Sequence, residues 1–318
     1  MFSSYGSGTL QGVPTYWSEQ CVFYPTAFCN ETVELIEKDK CVSKPIIYVN
    51  AKTPVTTPFD VFANVKENNG NKHGSCGVGF GKTLEREERY YSLLVEDLQF
   101  PTVLRQKLRL IQQYYGAEIS DEDFWDFVTD CLTSVEYIHI VHGIDELQEI
   151  CDSVIYEGSQ GLMLDKDIGY FPHVTRANVG SKVIKDNLDR VFYITRAYQT
   201  RHGNGPMSNQ ELGHNIKENP NETNVSNYQG EFRRSILDLD ILRYTIYKDN
   251  THAEKKTLVI TCLDHVENEW RFTHNAEVIY SASKEEFVEK ICKTLGFNDV
   301  YISESENYDE IERIKYDV

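Results

Sequence analysis

Apolar residues recur along this chain at two different spacings, and the alternation between them marks out its elements. Val103, Leu104, Leu108, Ile111 and Tyr115 follow the three-to-four-residue rhythm of one buried helix face. Ser120-Asp121-Glu122-Asp123 ahead of Phe124 and Trp125 reads as a helix start, and Ser283 to Leu295 is amphipathic. Further helices are expected over Glu31–Lys38 with Asn30 as N-cap, from Thr83 to about Leu98, around Asp145–Cys151 and over Ser235–Tyr247. Between them lie short β-branched and aromatic runs at Pro45–Val49, Ser153–Tyr156, Lys256–Leu263 and Val300-Tyr301-Ile302. Strands interleaved with helices indicate the α/β class. We expect one domain over residues 1–318, with a helical subregion at about 83–152 and a polar, Asn-rich mobile loop at about 203–232.

Composition agrees with a folded chain and narrows its partners. Hydrophobic residues make up 40% and aromatics 12%, enough for a packed core. The net charge of −18 argues against nonspecific binding to nucleic acid or to an anionic membrane. No apolar run approaches membrane-span length, and the N-terminus lacks a signal-peptide pattern. Eight cysteines are scattered without a Cys-x-x-Cys pair, which suggests reduced thiols in a cytoplasm. The Asn-x-Ser/Thr triplets at Asn30, Asn221 and Asn224 are then chance matches.

The chemistry concentrates between Ile155 and Pro206. Ile155-Tyr156-Glu157-Gly158-Ser159-Gln160-Gly161, Leu164-Asp165-Lys166-Asp167 and Tyr170-Phe171-Pro172-His173-Val174-Thr175 come first. Tyr193-Ile194-Thr195-Arg196 follows, then Tyr198-Gln199-Thr200-Arg201-His202-Gly203-Asn204-Gly205-Pro206. A strand-type run that breaks into small polar residues is where ligands sit in an open α/β sheet, although two ordinary strand-to-loop junctions would look the same. His202 invites an acid–base role, because imidazole titrates near neutral pH. Adjacent Arg233 and Arg234 suit carboxylate binding through guanidinium forks, or form a solvated basic pair. Gly77-Val78-Gly79-Phe80-Gly81-Lys82-Thr83 approaches a P-loop but fails it, because the first required glycine is Cys76. His139 and His142 lack a partner pattern and read as structural.

Taken together, Glu157-Gly158-Ser159-Gln160-Gly161, Leu164-Asp165-x-Asp167, Tyr170-Phe171-Pro172-x-Val174-Thr175 and Tyr198-x-Thr200-Arg201-x-Gly203-x-Gly205-Pro206 resemble adenylosuccinate synthetase, including viral relatives that act on dGMP. Lesser matches run from about Phe2 to the C-terminus. The resemblance implies a mostly parallel central sheet flanked by helices, an incomplete P-loop-NTPase-like fold. It implies a ligase that joins L-aspartate to IMP or dGMP at the expense of GTP or ATP, with Mg2+, as a cytoplasmic homodimer.

By the same resemblance, Ser75, Cys76 and Gly77 form the monophosphate loop, with Ser75 and Cys76 where the family has threonines. Gln160 and Thr175 hold the purine monophosphate through its base and its phosphate, and His202 touches it where the family usually has valine. Gln229, Arg233 and Arg234 clamp the aspartate. Cys262, Asp264 and Ser303 form the base pocket of the triphosphate donor, Cys262 replacing a lysine. Phe2 to Thr9 resembles a substrate loop that the family places after its phosphate loop, its catalytic aspartate and its catalytic histidine. The chain is therefore expected to be nearly inert alone and to need a missing N-terminal segment, supplied upstream or as a separate fragment. The alternative is a non-catalytic purine-nucleotide binder or regulatory relative.

Overall fold

The structure, a computed structural model, describes residues 3–37, 45–70, 75–147, 149–219 and 230–316. Two units make up the chain: Met1–Asn71 with Gly77–Glu157, and Lys72–Cys76 with Gly158–Val318.

The first unit runs β1 (Thr15–Trp17), α1 (Pro25–Glu37), β2 (Ile47–Asn50), α2 (Pro58–Gly70), α3 (Phe80–Glu88), α4 (Pro101–Tyr115), α5 (Asp121–Tyr137) and β3 (Ile138–Val141). Its sheet has the order β1-β2-β3 with both pairings parallel, Tyr16 lying beside Tyr48 and Tyr48 beside His139. Leu104, Leu108 and Ile111 turn inward with Phe59, Phe124 and Phe127 in one core, whereas Val103, expected on the same face, is exposed. Helix α4 opens on Pro101 and closes on Gly116 in the left-handed conformation, and Ser120 caps α5 by accepting from the Asp123 amide at 3.0 Å. His139 packs on Tyr48 at 5.3 Å, consistent with a structural role.

The second unit runs β4 (Arg190–Arg196), β5 (Tyr198–His202), β6 (Phe232–Asp238), α6 (Leu239–Asp249), β7 (Lys255–Thr261), β8 (Trp270–His274), β9 (Glu277–Ser281), α7 (Lys284–Leu295), β10 (Asp299–Ile302) and β11 (Glu312–Lys315). One sheet has the order β11-β10-β7-β4, in which β4, β7 and β10 are parallel and β11 is antiparallel. The other is β5-β6-β8-β9, with only β6 and β8 parallel. Ala197 alone separates β4 from β5, so the chain crosses between sheets at one buried residue. Leu258, Ile260, Val300, Phe287 and Ile291 form the core, and Ser283 caps α7.

The α/β class with parallel strands and flanking helices holds, its strands distributed over three sheets. Several local expectations are corrected. Ser153–Tyr156 forms no strand; Ile155 is 86% exposed and the segment has no ladder partner. Helix α1 begins at Pro25, so Asn30 lies inside it and does not cap it. The helix expected over Thr83–Leu98 breaks after Glu88 and resumes as a 3-10 turn over Val95–Gln99. Among the described residues of Asp145–Cys151, only those up to Leu147 are helical, in the 3-10 turn Ile144–Leu147. Ser235–Asp238 is strand, and the helix starts at Leu239 because Asp238 caps it, accepting from Asp240 and Ile241 amides.

No helix among the described residues is long and apolar enough to cross a membrane. The described cysteines are free thiols, and burial pushes Cys29 to about 11 and Cys292 to about 12, away from reactive thiolate chemistry.

Candidate functional site

In the second unit, the Leu164-Asp165-x-Asp167 motif folds back on the residues after Thr175. Asp165 is fully buried and accepts from the amides of Val179 (2.8 Å) and Asp167 (2.9 Å), from Asn178 Nδ2 (3.2 Å) and from Lys182 Nζ (3.3 Å). Burial pushes its carboxyl up, but these amides, Lys182 and Asn178 outweigh it and hold the group below the ordinary carboxylate range. The Thr175 amide donates to Leu164 O at 2.7 Å, fixing that threonine beside the knot. Further along, the Ser181 hydroxyl and the Tyr193 phenol donate to Asp249 Oδ2 at 2.5 and 2.9 Å, tying the segment to α6 and β4. Thr175 is half-buried, while Gln160 is exposed at the start of the motif.

Strands β5 and β6 place arginines opposite one another, Arg201 facing Arg233 and Thr200 facing Arg234. Arg201 donates to Asn204 O (3.1 Å) and His173 O (3.0 Å); Arg233 donates to Gly203 O (2.7 Å), Gly205 O (2.9 Å) and Gln210 Oε1 (3.0 Å). Burial, and after it the Arg233 charge, lowers the Arg201 pKa. Among the described residues no carboxylate forms an ion pair with either. Gly205 makes the packing possible: its φ is +112°, and a Cβ there would come 2.6 Å from Arg201 Nη2. His202 is exposed and rests against Phe232 at 4.4 Å, with Arg234 4.8 Å from the same ring.

A third group gathers at the carboxyl ends of the parallel strands β4, β7 and β10. Cys262 ends β7 in a left-handed turn (φ +57°) that leads into the 3-10 turn Leu263–His265. The Leu263 amide donates to Ser303 O at 3.3 Å and the Ser303 amide to Ile260 O at 3.0 Å, joining the β7 and β10 ends. Asp264 is exposed there. Adjacent parallel strand ends are the usual ligand position of such sheets.

In the first unit, Gly77 (φ +78°) and Gly79 (φ +84°) lead into α3. A Cβ at Gly79 would meet the Val61 amide nitrogen at 2.9 Å, so the loop lies tight on α2. Beneath it Arg86, fully buried, forks onto Asp60 at 2.9 and 3.2 Å and donates to Val55 O at 2.8 Å. Thr57 and Tyr115 complete the coordination of Asp60, whose charge together with burial pushes the Tyr115 phenol up. Ser75 is half-buried and Cys76 exposed, and both are grouped with the second unit.

The adenylosuccinate synthetase family model matches residues 1–302. The chain belongs to the adenylosuccinate synthetase family. An adenylosuccinate synthetase of Nitratidesulfovibrio vulgaris (strain DSM 19637 / Miyazaki F) is 31% identical over 216 residues, 60% of this chain and 50% of that protein. That of Dichelobacter nodosus (strain VCS1703A) is 30% identical over 235 residues, 66% of this chain and 54% of that protein. The chain thus spans about half the length of the curated relatives it matches. In structure it is similar to the fully ligated Plasmodium falciparum adenylosuccinate synthetase, with a TM-score of 0.72 and 16% identity over 95% of this chain and 84% of that one. It is also similar to the cyanophage S-2L succinoaminodeoxyadenylate synthetase bound to dGMP and dATP, with a TM-score of 0.60 and 13% identity over 95% and 77%. These two likenesses show the fold.

Within the adenylosuccinate synthetase fold of this chain, Gln160, Thr175, His202, Arg233, Arg234, Cys262, Asp264 and Ser303 all fall in the second unit and Gly77 in the first, while Gln229 lies outside the described residues. Arg196, Tyr198 and Arg201 stand in the quoted motifs with no role assigned, and His265 stands outside them; the Arg201–Arg233 register emerges only once β6 is known to be a strand.

Proposed function

We propose that the chain serves in a purine nucleotide–aspartate ligase that joins L-aspartate to IMP or dGMP at the expense of GTP or ATP. The observation that carries this is the facing arginine pair on β5 and β6, held by carbonyls instead of carboxylates, in a chain of net charge −18. A cationic pair kept close, with no carboxylate paired to it among the described residues, suits a ligand that brings its own charge.

In this reading Gln160 meets the purine edge, and Thr175 with Ser75 and Cys76 meets the 5′-phosphate, the knot around Asp165 fixing Thr175. His202 lies along the nucleotide. Arg233, anchored by Gly203 and Gly205, works with Arg234 and Gln229 on the aspartate carboxylates. Cys262, Asp264 and Ser303 take the donor's base. The donor's γ-phosphoryl group passes to the purine 6-oxygen, and the aspartate amine then displaces phosphate, turning a poor leaving group into a good one.

No group of three His, Cys, Asp or Glu side chains able to hold a metal ion occurs among the described residues, so none is assigned to the implied Mg2+ and no step runs through it. The quoted motifs supply binding and positioning.

The test is to combine the purified chain with IMP or dGMP, GTP or ATP, L-aspartate and magnesium, with and without an added phosphate-loop segment of the family. Binding of one monophosphate by the chain, with succinylated nucleotide formed in at least one arm, is the expected result. Absence of product in both arms, with no binding of either monophosphate, overturns the reading.

A further inference from the structure

Four polar side chains stand in line at the open ends of β4 and β7. Arg196 Nη1 donates to the Tyr198 hydroxyl at 3.2 Å, and that hydroxyl lies 2.8 Å from His265 Nδ1. A phenol that donates to Nδ1 leaves the imidazole proton on Nε2. Nε2 faces Asp264 Oδ2 at 3.6 Å, too long for a direct hydrogen bond but close enough to bias a carboxylate.

Burial is graded along the line. Tyr198 is buried, the His265 side chain is 15% exposed and the Asp264 side chain 43%. Tyr198 also stacks on the His265 ring at 6.0 Å, and the Lys217 amide donates to His265 O at 2.8 Å, pinning the histidine's backbone. The exposed carboxylate is thus the free end of an otherwise packed relay.

We infer that Tyr198 and His265 are positioning residues that set the plane of the Asp264 carboxylate, and through it decide which purine the donor site accepts. This rests on the base-site reading of Asp264 and deepens it. A guanine edge offers two adjacent N–H donors to two carboxylate oxygens, whereas an adenine edge offers a ring-nitrogen acceptor beside its amino group. A carboxylate held in one plane separates the two; one free to rotate separates them less.

The experiment compares GTP and ATP binding to the full chain by calorimetry, with thermal unfolding as the stability control. The variants are Tyr198→Phe, His265→Ala, His265→Gln and Asp264→Asn. The unaltered chain is expected to prefer GTP, and Tyr198→Phe and His265→Ala to reduce that preference by about five- to tenfold, the size of one lost polar contact. The amide of His265→Gln, able to accept from Tyr198 and donate toward Asp264, is expected to restore part of it. Nitrogen-15 NMR should show His265 Nδ1 unprotonated, and Tyr198→Phe should mix the tautomers. If Asp264→Asn abolishes the preference while Tyr198→Phe and His265→Ala keep it, the relay is overturned and the base site stands. If no variant changes it, or no nucleotide binds, both fall together.

Discussion

Arg86 in the first unit and Arg233 in the second are both held by several acceptors, but the acceptors differ in kind. Arg86 is fully buried and forks onto the Asp60 carboxylate, with Glu87 at 2.9 Å beside it. Its charge is neutralised inside the protein, so it can serve only to lock α2, α3 and α4 around the Gly77–Gly79 turn. Arg233 is held by Gly203 O, Gly205 O and Gln210 Oε1, with Arg201 opposite it on the neighbouring strand. Those neutral acceptors fix its geometry without cancelling its charge. A cation paired with a carboxylate reads as structure, and a cation aimed by carbonyls reads as a receptor for an anion.

The comparison breaks first at Arg86. Arg86→Ala strands the Asp60 carboxylate in the interior and is expected to lower stability by about 3–5 kcal/mol, read from urea unfolding. A loss below about 1 kcal/mol would mean that the pair is not the lock described here. Next in size is Asp165→Asn, expected to lower stability at neutral pH by about 1–3 kcal/mol through lost charge-assisted hydrogen bonds.

That second effect carries a sign in pH. The Asp165 carboxyl is held below its ordinary value, so its contribution is present above the unfolded value near about 4 and is lost as pH falls through the lower folded one. Melting curves of the unaltered chain and Asp165→Asn should therefore converge as the buffer is taken below about pH 3, and a constant gap would contradict the knot.

Arg233→Ala sharpens the contrast from the other side. It should weaken binding of L-aspartate in the presence of monophosphate by about tenfold, with a smaller stability loss than Arg86→Ala. Equal stability losses for the two would erase the distinction. The smallest effect lies outside both regions: Ser283→Ala removes the α7 cap onto the Glu286 amide and should cost about 1 kcal/mol, without altering ligand affinity.

Two helix starts and one strand end were legible in the sequence, although Asn30 was misplaced as a cap and Asp238 was not seen as one. Ser120 and Ser283 cap the helices whose starts they mark, and Asp264 sits just past the strand that precedes it. What the sequence hid depends on partners distant along the chain. The Arg86–Asp60 pair leaves no sequence signal, because Asp60 precedes Arg86 by 26 residues and only packing joins them. Ser235–Asp238, expected as the first turn of a helix over Ser235–Tyr247, has Ser235, Ile236 and Leu237 buried in succession; pairing with β5 on one side and β8 on the other makes it a strand buried on both faces. Val154-Ile155-Tyr156 shows the reverse, a strand-type composition with no ladder to join.

The most direct test is a calorimetric titration of the purified chain with IMP and with dGMP, repeated on the double variant Gln160→Ala, Thr175→Ala. Micromolar binding of one of them, abolished in the double variant, is the expected result. Affinity that the two alanines leave untouched, or no affinity for either nucleotide, would contradict a purine monophosphate seat on these residues.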